Sequence, residues 1–457
     1  MYLKHFLFDH ATERCSGSAS GIYGAHSHFI LTAVCVCVSV LISLTAAAGA
    51  AHAEDANVLK LAEARSRATS NNPGLEAMRE RYLALSHIAP QVATLPDPVV
   101  SLNAMNLPWD NFDMNQEAMT QVQLGISQVF PFPGKLALNE DIALFEAQAA
   151  AFSVDEMRLN LDMNVTVTWW EVFYLDRAIE TVCKNQSVTR QLVEVANTKY
   201  KVGEGLQQDV LLAQLELSRL LDTEIQLNAM RQQRVIRLNV LMGTSPDTPV
   251  ALPTQMPDVS RPIASHAALY QRAEDARPLL QLERASIDAS SSRLALAKKE
   301  YYPDFKVGVA YGNRERDELG QSRQDFVSIM LSVNVPLYAG SRQSQSVKQR
   351  TRELARSRYA LLDQKNQVYM SIADATTTYQ QATEQMALYG SGIVPQAEQT
   401  VESMLAGYQV NQVDFLSVVR SQSALFESEL LYWKSYTEAQ QSKARVIAAV
   451  GEENIYE

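Results

Sequence analysis

Four short segments alternate between aliphatic residues and small or polar ones, the period-2 pattern of a β-strand with one apolar face. The alternation is regular at residues 121–131, 304–312 and 326–336, and less regular at 97–107. The other face carries mostly small or uncharged residues. A segment of about 9–11 residues crosses a bilayer when it is tilted, so we expect the aliphatic face to contact lipid. A soluble hairpin that buries this face is the alternative. The candidate lipid-facing residues are Val122, Leu124, Ile126, Val327, Ile329, Leu331 and Val333.

Long stretches with little Pro or Gly separate the strand segments. Residues 135–200 contain neither residue type, and residues 341–407 contain only four. At about 1.5 Å per residue, a helix over the first stretch would be roughly 100 Å long, more than a globular domain requires. We predict helices over both stretches, each followed by a return helix, at 206–242 and 414–450.

The same unit occurs twice in the chain. The sequence Tyr200-Lys-Val202-Gly203 corresponds to Tyr408-Gln-Val410-Asn411, at an offset of 208 residues, and Met242-Gly243 corresponds to Val450-Gly451 at the same offset. Each unit has the order helix, strand, loop, strand, long helix, turn, helix. We place the two units at 54–243 and 262–451. Because solenoid repeats are much shorter, this indicates a duplicated half-molecule.

Four strands per chain cannot close a membrane barrel, which needs at least about eight strands. Two chains would supply eight strands, enough for a barrel filled by its own side chains, and three would supply twelve and leave an open interior. The small polar residues of the second face favour the open interior. We therefore expect a homotrimer.

The N-terminal region indicates export. Residues 29–44 form an uncharged apolar run that is followed by Ala51-His52-Ala53. The run is shorter than the ~20 residues of a membrane-spanning helix, so we predict a signal peptide over residues 1–53. An upstream start codon or an anchored form are the alternatives. Removal of this segment leaves Cys183 as the sole cysteine, which excludes an internal disulfide.

Composition and motifs argue against several functions. The chain has 40 basic and 51 acidic residues, a net charge of −11, whereas a nucleic-acid partner requires a basic surface. We find no His/Cys set with metal-ligand spacing and no catalytic motif, so we expect neither an enzyme nor a resident metal or cofactor. Trp169-Trp170 with Phe173-Tyr174 indicates packing between helices rather than a ligand cage.

The duplicated unit, with Tyr-x-Val-Gly/Asn at the helix turns and Pro131-x-x-Gly134 at a strand exit, resembles the TolC-type outer-membrane efflux channels over residues 57–451. The segment 128–135 is similar to the heavy-metal efflux branch. The resemblance implies a mainly α fold with a β-barrel part. Three chains would form a twelve-stranded β-barrel in the outer membrane, continued by a long periplasmic α-helical barrel.

The resemblance also implies a function and partners. The protein would be a passive conduit that exports substrates, heavy-metal cations among them, from the periplasm to the exterior. Its partners would be outer-membrane lipid, a periplasmic adaptor (membrane-fusion) protein and an inner-membrane transporter of the resistance-nodulation-division type. The exit duct of a type I protein-secretion system and a periplasmic coiled-coil scaffold are the alternatives.

Site residues follow from the same resemblance. The two helix turns would form the periplasmic tip that meets the adaptor, and acidic residues one or two helical turns earlier would close it. A solvated helix face is the alternative for each acidic residue. Asn411 replaces the usual Gly, but Asn tolerates a left-handed backbone better than most residues. The tip candidates are Tyr200, Val202, Gly203, Tyr408, Val410 and Asn411, and the gate candidates are Glu194, Glu398 and Glu402.

Overall fold

Two copies of one order of helices and strands make up the described chain. The computed structural model describes residues 58–254, 261–317 and 319–456, so the predicted signal peptide lies outside the described residues. The elements of the first copy are α1 (Leu61–Asn71), α2 (Pro73–Ser86), α3 (Ile88–Ala93), β1 (Val99–Met105), β2 (Gln121–Phe130), α4 (Lys135–Lys201) and α5 (Gln207–Leu241). Those of the second copy are α6 (His266–Ala276), α7 (Pro278–Lys299), β3 (Phe305–Asn313), β4 (Phe326–Val333), α8 (Gln343–Leu388), a π-helical turn (Tyr389–Ile393), α9 (Val394–Gln409) and α10 (Phe415–Val450).

The four strands form one antiparallel sheet in the order β1-β2-β3-β4. Ile126 pairs with Val100 on one side and with Val309 on the other, and Val309 pairs with Ile329. Because side chains alternate between the two faces, this register places the aliphatic positions of all four strands in rows on one face. The opposite face is crowded at its glycines, since a Cβ at Gly308 would come within 3.2 Å of the Ser127 Cβ.

Two strands are shorter than their sequence pattern predicts. β1 covers Val99–Met105 rather than 97–107, because Pro98 precedes it and Asn106 adopts a left-handed backbone with φ of 56°. β4 ends at Val333 rather than at 336. Asn334 N still donates to Asp304 O, at 3.1 Å and in the same register, but Pro336 has no N–H with which to continue the ladder. The ends of these strands therefore depend on proline positions and backbone conformation as well as on the alternation of side chains.

The two long helical stretches differ. α4 is continuous over 67 residues. The stretch predicted at 341–407 begins at Gln343 and is interrupted by the π-helical turn, where Val394 N donates to Tyr389 O. Pro395, just after this turn, cannot donate a backbone hydrogen bond, and π turns absorb such interruptions. No helix in the described ranges has the length and apolar composition needed to cross a membrane.

The helices lie side by side in a layer. Near the sheet, α4 packs against α2, α3 and α7, and α7 packs against α8. Toward the turns, α4 packs against α5 and α10, and α10 packs against α8 and α9. An aromatic cluster on α4 and α10 contributes to the core between them. In this cluster Trp170 and Phe173 are almost fully buried, Tyr436 lies 5.8 Å from Trp170 between ring centroids, and the Trp169 indole N–H donates to Leu59 O at 3.0 Å.

The glycine after α5 provides a test of this packing. Gly243 has a φ of 67°, and a Cβ there would lie 2.5 Å from Asn71 O. Gly243→Ala should therefore lower the free energy of unfolding by more than about 3 kcal/mol, combining a left-handed backbone cost of roughly 1–2 kcal/mol with a backbone clash. The measurement is the thermal midpoint of the helical circular dichroism signal in detergent.

Gly203→Ala is the matched control. Gly203 also has a positive φ, of 78°, but nothing lies within 4 Å of the added Cβ. The free energy of unfolding should therefore fall only by the left-handed backbone cost of about 1–2 kcal/mol. Equal losses of unfolding free energy in Gly243→Ala and Gly203→Ala would contradict the close approach of Gly243 to α1.

Candidate functional site at the helical tip

Two helix turns with the same geometry form the tip. In the first turn, Gly203 has a φ of 78°, and in the second, Asn411 has a φ of 62°. The backbone N–H groups of Glu204 and Gly205 both donate to Lys199 O, at 2.9 and 3.1 Å. In the second turn, Asn411 adopts the left-handed conformation that Gly203 adopts in the first. The replacement of Gly by Asn therefore leaves the turn intact.

Lys199 connects the two turns. Its Nζ donates to Tyr408 O at 2.9 Å, to Gln409 O at 3.2 Å and to Asn411 Oδ1 at 2.5 Å. The residue is only 9% exposed, and its ammonium lies 4.9 Å from the centroid of the Tyr408 ring. The last carbonyls of a helix lack partners within the helix and carry a partial negative charge. Lys199 therefore caps α9 from the end of α4.

Lys199 belongs to none of the sequence motifs that mark the tip. Leu192, Ala196 and Lys199 are all buried and follow a 4–3 spacing along α4. This spacing marks the packed face of a helix. A lysine at such a position signals a specific partner, because an unpaired buried ammonium is costly. The spacing could have identified a partnered lysine, but its acceptors lie more than 200 residues away in the chain.

The repeat-related tyrosines have different environments. Tyr408 is 5% exposed and packs with Phe415 at 5.3 Å between ring centroids, whereas Tyr200 is 47% exposed. Burial raises the pKa of Tyr408, and the nearby charge of Asp209 adds to the effect. Tyr408 thus belongs to the core of the tip. The other tip candidates, Tyr200, Val202, Gly203, Val410 and Asn411, are exposed.

The three acidic candidates also fall into two groups. Glu194 and Glu402 are exposed, and neither forms an ion pair with another described residue. Glu398 is exposed too but lies in the field of Lys184. The pKa of Lys184 is raised first by its hydrogen bond to Glu429, at 3.0 Å, and then by the charges of Glu429, Glu398 and Glu180. The charge of Glu398 therefore interacts with that of Lys184.

No group of three or more His, Cys, Asp or Glu side chains could hold a metal ion within residues 58–254, 261–317 and 319–456. Cys183 is an exposed free thiol. The tip therefore presents the carboxylates Glu194 and Glu402, which form no ion pair among the described residues, and exposed apolar side chains that include Val202 and Val410 at 65% and 63% exposure.

The sheet presents a second candidate surface. Ile329 is 80% exposed and Val327 70%. The remaining candidates Leu124, Ile126, Leu331 and Val333 are also exposed, and Val122 is half-buried. This face ends near the helices at Asp304, whose Oδ1 accepts from Phe132 N and from Lys135 Nζ, both at 2.8 Å. Asp304 thus ties the start of β3 to the exit of β2.

Comparisons with known proteins agree on one family. A family model described as outer membrane efflux protein matches residues 64–244 and 269–452. Outer membrane protein TolC of Vibrio cholerae is 22% identical over 63% of this chain and 67% of that protein. Cobalt-zinc-cadmium resistance protein CzcC of Cupriavidus metallidurans is 20% identical over 83% of this chain and 87% of that protein. The solved structure of outer membrane protein VceC from Vibrio cholerae has a TM-score of 0.72 at 18% identity, over 86% of this chain and 96% of that chain, which shows a shared fold.

The Lys199 contacts predict a local effect on dynamics. Lys199→Met keeps the aliphatic stem but removes three hydrogen bonds to the end of α9. Amide hydrogen exchange at residues 408–413 should become roughly tenfold faster or more, because charge-assisted hydrogen bonds contribute about 1.5–3 kcal/mol. The measurement is hydrogen–deuterium exchange with mass spectrometry. Lys201→Met, an exposed lysine two residues later, is the control. Unchanged exchange in Lys199→Met would show that the second turn holds without the lysine.

Proposed function

The chain belongs to the outer membrane efflux protein family, and from this membership and the geometry above we propose that it is the passive channel of a tripartite efflux pump. The channel would carry substrates from the periplasm to the exterior without catalysing a reaction. The observation that carries this proposal is the sheet, which exposes rows of aliphatic side chains from all four strands on one face. A large exposed apolar patch of this kind requires lipid or protein against it.

We infer that the aliphatic face contacts lipid and the glycine-rich face lines the pore. Gly125 and Gly308 lie on the second face, together with Ser127 and Ser328. Alternating apolar and polar faces are typical of strands in membrane barrels. At the helix end of the sheet, Phe132 and Tyr302 stack with ring centroids 4.5 Å apart. Aromatic residues at this position suit the boundary between lipid and water.

The sheet edges support a trimer. β1 and β4 each pair with only one strand among the described residues. Within lipid, unpaired backbone groups cost several kcal/mol each, so both edges need partners from other chains. α5, an outer helix of the layer, also carries exposed apolar side chains at Leu211, Leu215 and Ile225, which are 56%, 49% and 69% exposed. Closure by three chains would pair both strand edges and cover the apolar side chains of α5.

The tip provides the proposed contacts with the periplasmic adaptor. Tyr200, Val202 and Val410 are exposed at the turns, where an adaptor linked to an inner-membrane transporter of the resistance-nodulation-division type would dock. Glu194 and Glu402 are the proposed gate residues, two per chain and so six in a trimer. Such a ring would attract cations and repel anions. We place Glu398 in a secondary position, because Lys184 offsets its charge.

Heavy-metal cations are the proposed substrate class. The relative CzcC, named for cobalt, zinc and cadmium resistance, aligns with 83% of this chain. The exposed carboxylates Glu194 and Glu402, which form no ion pair among the described residues, suit cation passage. A deletion strain should become sensitive to these cations. Unchanged metal sensitivity together with retention of a secreted protein would instead favour a type I secretion duct.

Charge on the lipid-facing side of the sheet should block assembly. Ile329→Arg places a guanidinium among aliphatic side chains of the central rows and should cost about 2–4 kcal/mol at mid-membrane depth. The expected result is loss of the heat-modifiable oligomer from the outer-membrane fraction, followed on gels. Ser328→Arg, on the opposite face of the same strand, should assemble. If both variants assembled equally, the assignment of the faces would be wrong.

Neutralising the proposed gate should alter conduction. The double variant Glu194→Gln with Glu402→Gln is expected to weaken divalent-cation block of single channels by roughly tenfold, because a charge ring concentrates counter-ions. Planar-bilayer recordings provide the measurement. Glu80→Gln, an exposed carboxylate on α2 near the sheet, should leave block unchanged. Identical currents in the double variant and the unmodified protein would discard the gate role.

A further inference from the structure

A cleft of about 430 Å³ opens between α2, α4, α7 and α8, far from the tip turns. Its floor consists of small residues, mainly Ala and Ser, of which Ser290 and Ser357 hydrogen-bond to each other at 3.1 Å. Small side chains leave room for a ligand against the helices. The residues that line this cleft belong neither to the sheet nor to the tip turns.

Positive charge dominates the cleft. Arg81, Arg293 and Arg356 line it, and Glu146 is the only acidic residue among its lining side chains. Glu146 is already engaged by Arg293. Neither Arg81 nor Arg356 forms an ion pair with any residue in the described ranges. Two guanidinium groups on different helices of the cleft, α2 and α8, therefore have no carboxylate partner among the described residues.

The surroundings reinforce this field. Between Gln343 and Arg358, α8 carries five basic residues against the single acid Glu353, in a chain whose net charge is −11. The pKa of Glu353 is held below its usual range by hydrogen bonds from Gln349 and Arg350 and by the charges of Arg350 and Arg293. The positive field of the cleft thus extends to a neighbouring carboxylate. Arg350 also offsets the charge of Glu353, at 2.8 Å.

The position of the cleft favours a soluble ligand over a lipid headgroup. Glu146 lies eleven residues after the start of α4, which is about 16 Å along the helix axis from the sheet. The headgroup layer adds only about 5–8 Å beyond the hydrocarbon on each side of a bilayer. The preference for a soluble ligand over a lipid headgroup rests on the proposed position of the sheet in the membrane. The charge and shape of the cleft do not depend on it.

We propose that this cleft is a binding site for a soluble phosphate-bearing anion. Arg81 from α2 and Arg356 from α8 bind the phosphate oxygens, while the Arg293–Glu146 ion pair leaves the net charge of the lining positive. Guanidinium groups match phosphate geometry through paired N–H donors. Ser290 and Ser357 shape the floor but supply no donor to the anion, because their hydroxyl groups already bond to Ser286 O at 2.9 Å, to Glu353 O at 3.2 Å and to each other. Neither the proposed lipid contact of the sheet nor the proposed gate and adaptor contacts of the tip require such a site.

Isothermal titration calorimetry with pyrophosphate tests this proposal on the full chain in detergent. The expected result is saturable binding with one site per chain. Arg81→Gln and Arg356→Gln should each weaken binding by about tenfold or more, as expected for a lost charge-assisted contact. Because neither arginine forms an ion pair among the described residues, both variants should keep the circular dichroism spectrum and thermal midpoint of the unmodified protein.

Arg358→Gln is the matched control. It removes the same charge from α8, two residues from Arg356, but Arg358 does not line the cleft. Its affinity for pyrophosphate should equal that of the unmodified protein. The proposal is overturned if no saturable binding occurs, if Arg358→Gln weakens binding as much as Arg356→Gln, or if only phosphatidylglycerol micelles bind. Since no membrane or conductance is involved, failure here leaves the channel function untouched.

Discussion

The register of the four-stranded sheet is the constraint on which the rest of the structure depends. It aligns Val100, Ile126, Val309 and Ile329 in one exposed row and leaves β1 and β4 with unpaired edges. An apolar face of this kind is stable against lipid, and an edge within lipid must be paired. Both requirements are met when several copies close the sheet. In the structure, the helices that continue the hairpins pack against one another along their lengths.

The tip shows how a duplicated unit becomes asymmetric. Lys199 occupies the buried face of α4 and caps α9, whereas the repeat-equivalent position 407 is a glycine that can make no such contact. As a result Tyr408 is buried and Tyr200 is exposed. The π-helical turn adds a second difference, because α4 has no counterpart to it. The two repeats share a turn geometry but differ in what holds each turn in place.

The sequence predicts elements whose signal is local and misses contacts between distant residues. Alternation identified the strands, and the absence of Pro and Gly identified α4. Boundaries at Val333 and Gln343 depended on individual hydrogen bonds and on Pro336, which periodicity does not encode. Lys199 with Tyr408, and Lys135 with Asp304, join residues more than 160 positions apart. For the acidic candidates, sequence spacing treated Glu398 and Glu402 alike, and only the structure placed Lys184 near Glu398.

We infer that three copies of this chain close their sheets into one assembly in the outer membrane. Native mass spectrometry of the protein extracted from outer membranes in detergent tests it most directly, since the mass gives the number of chains without any assumption about function. We expect an assembly of three chains recovered from the membrane fraction. A monomer or dimer as the largest species, or recovery of the protein from the soluble periplasm, would contradict it.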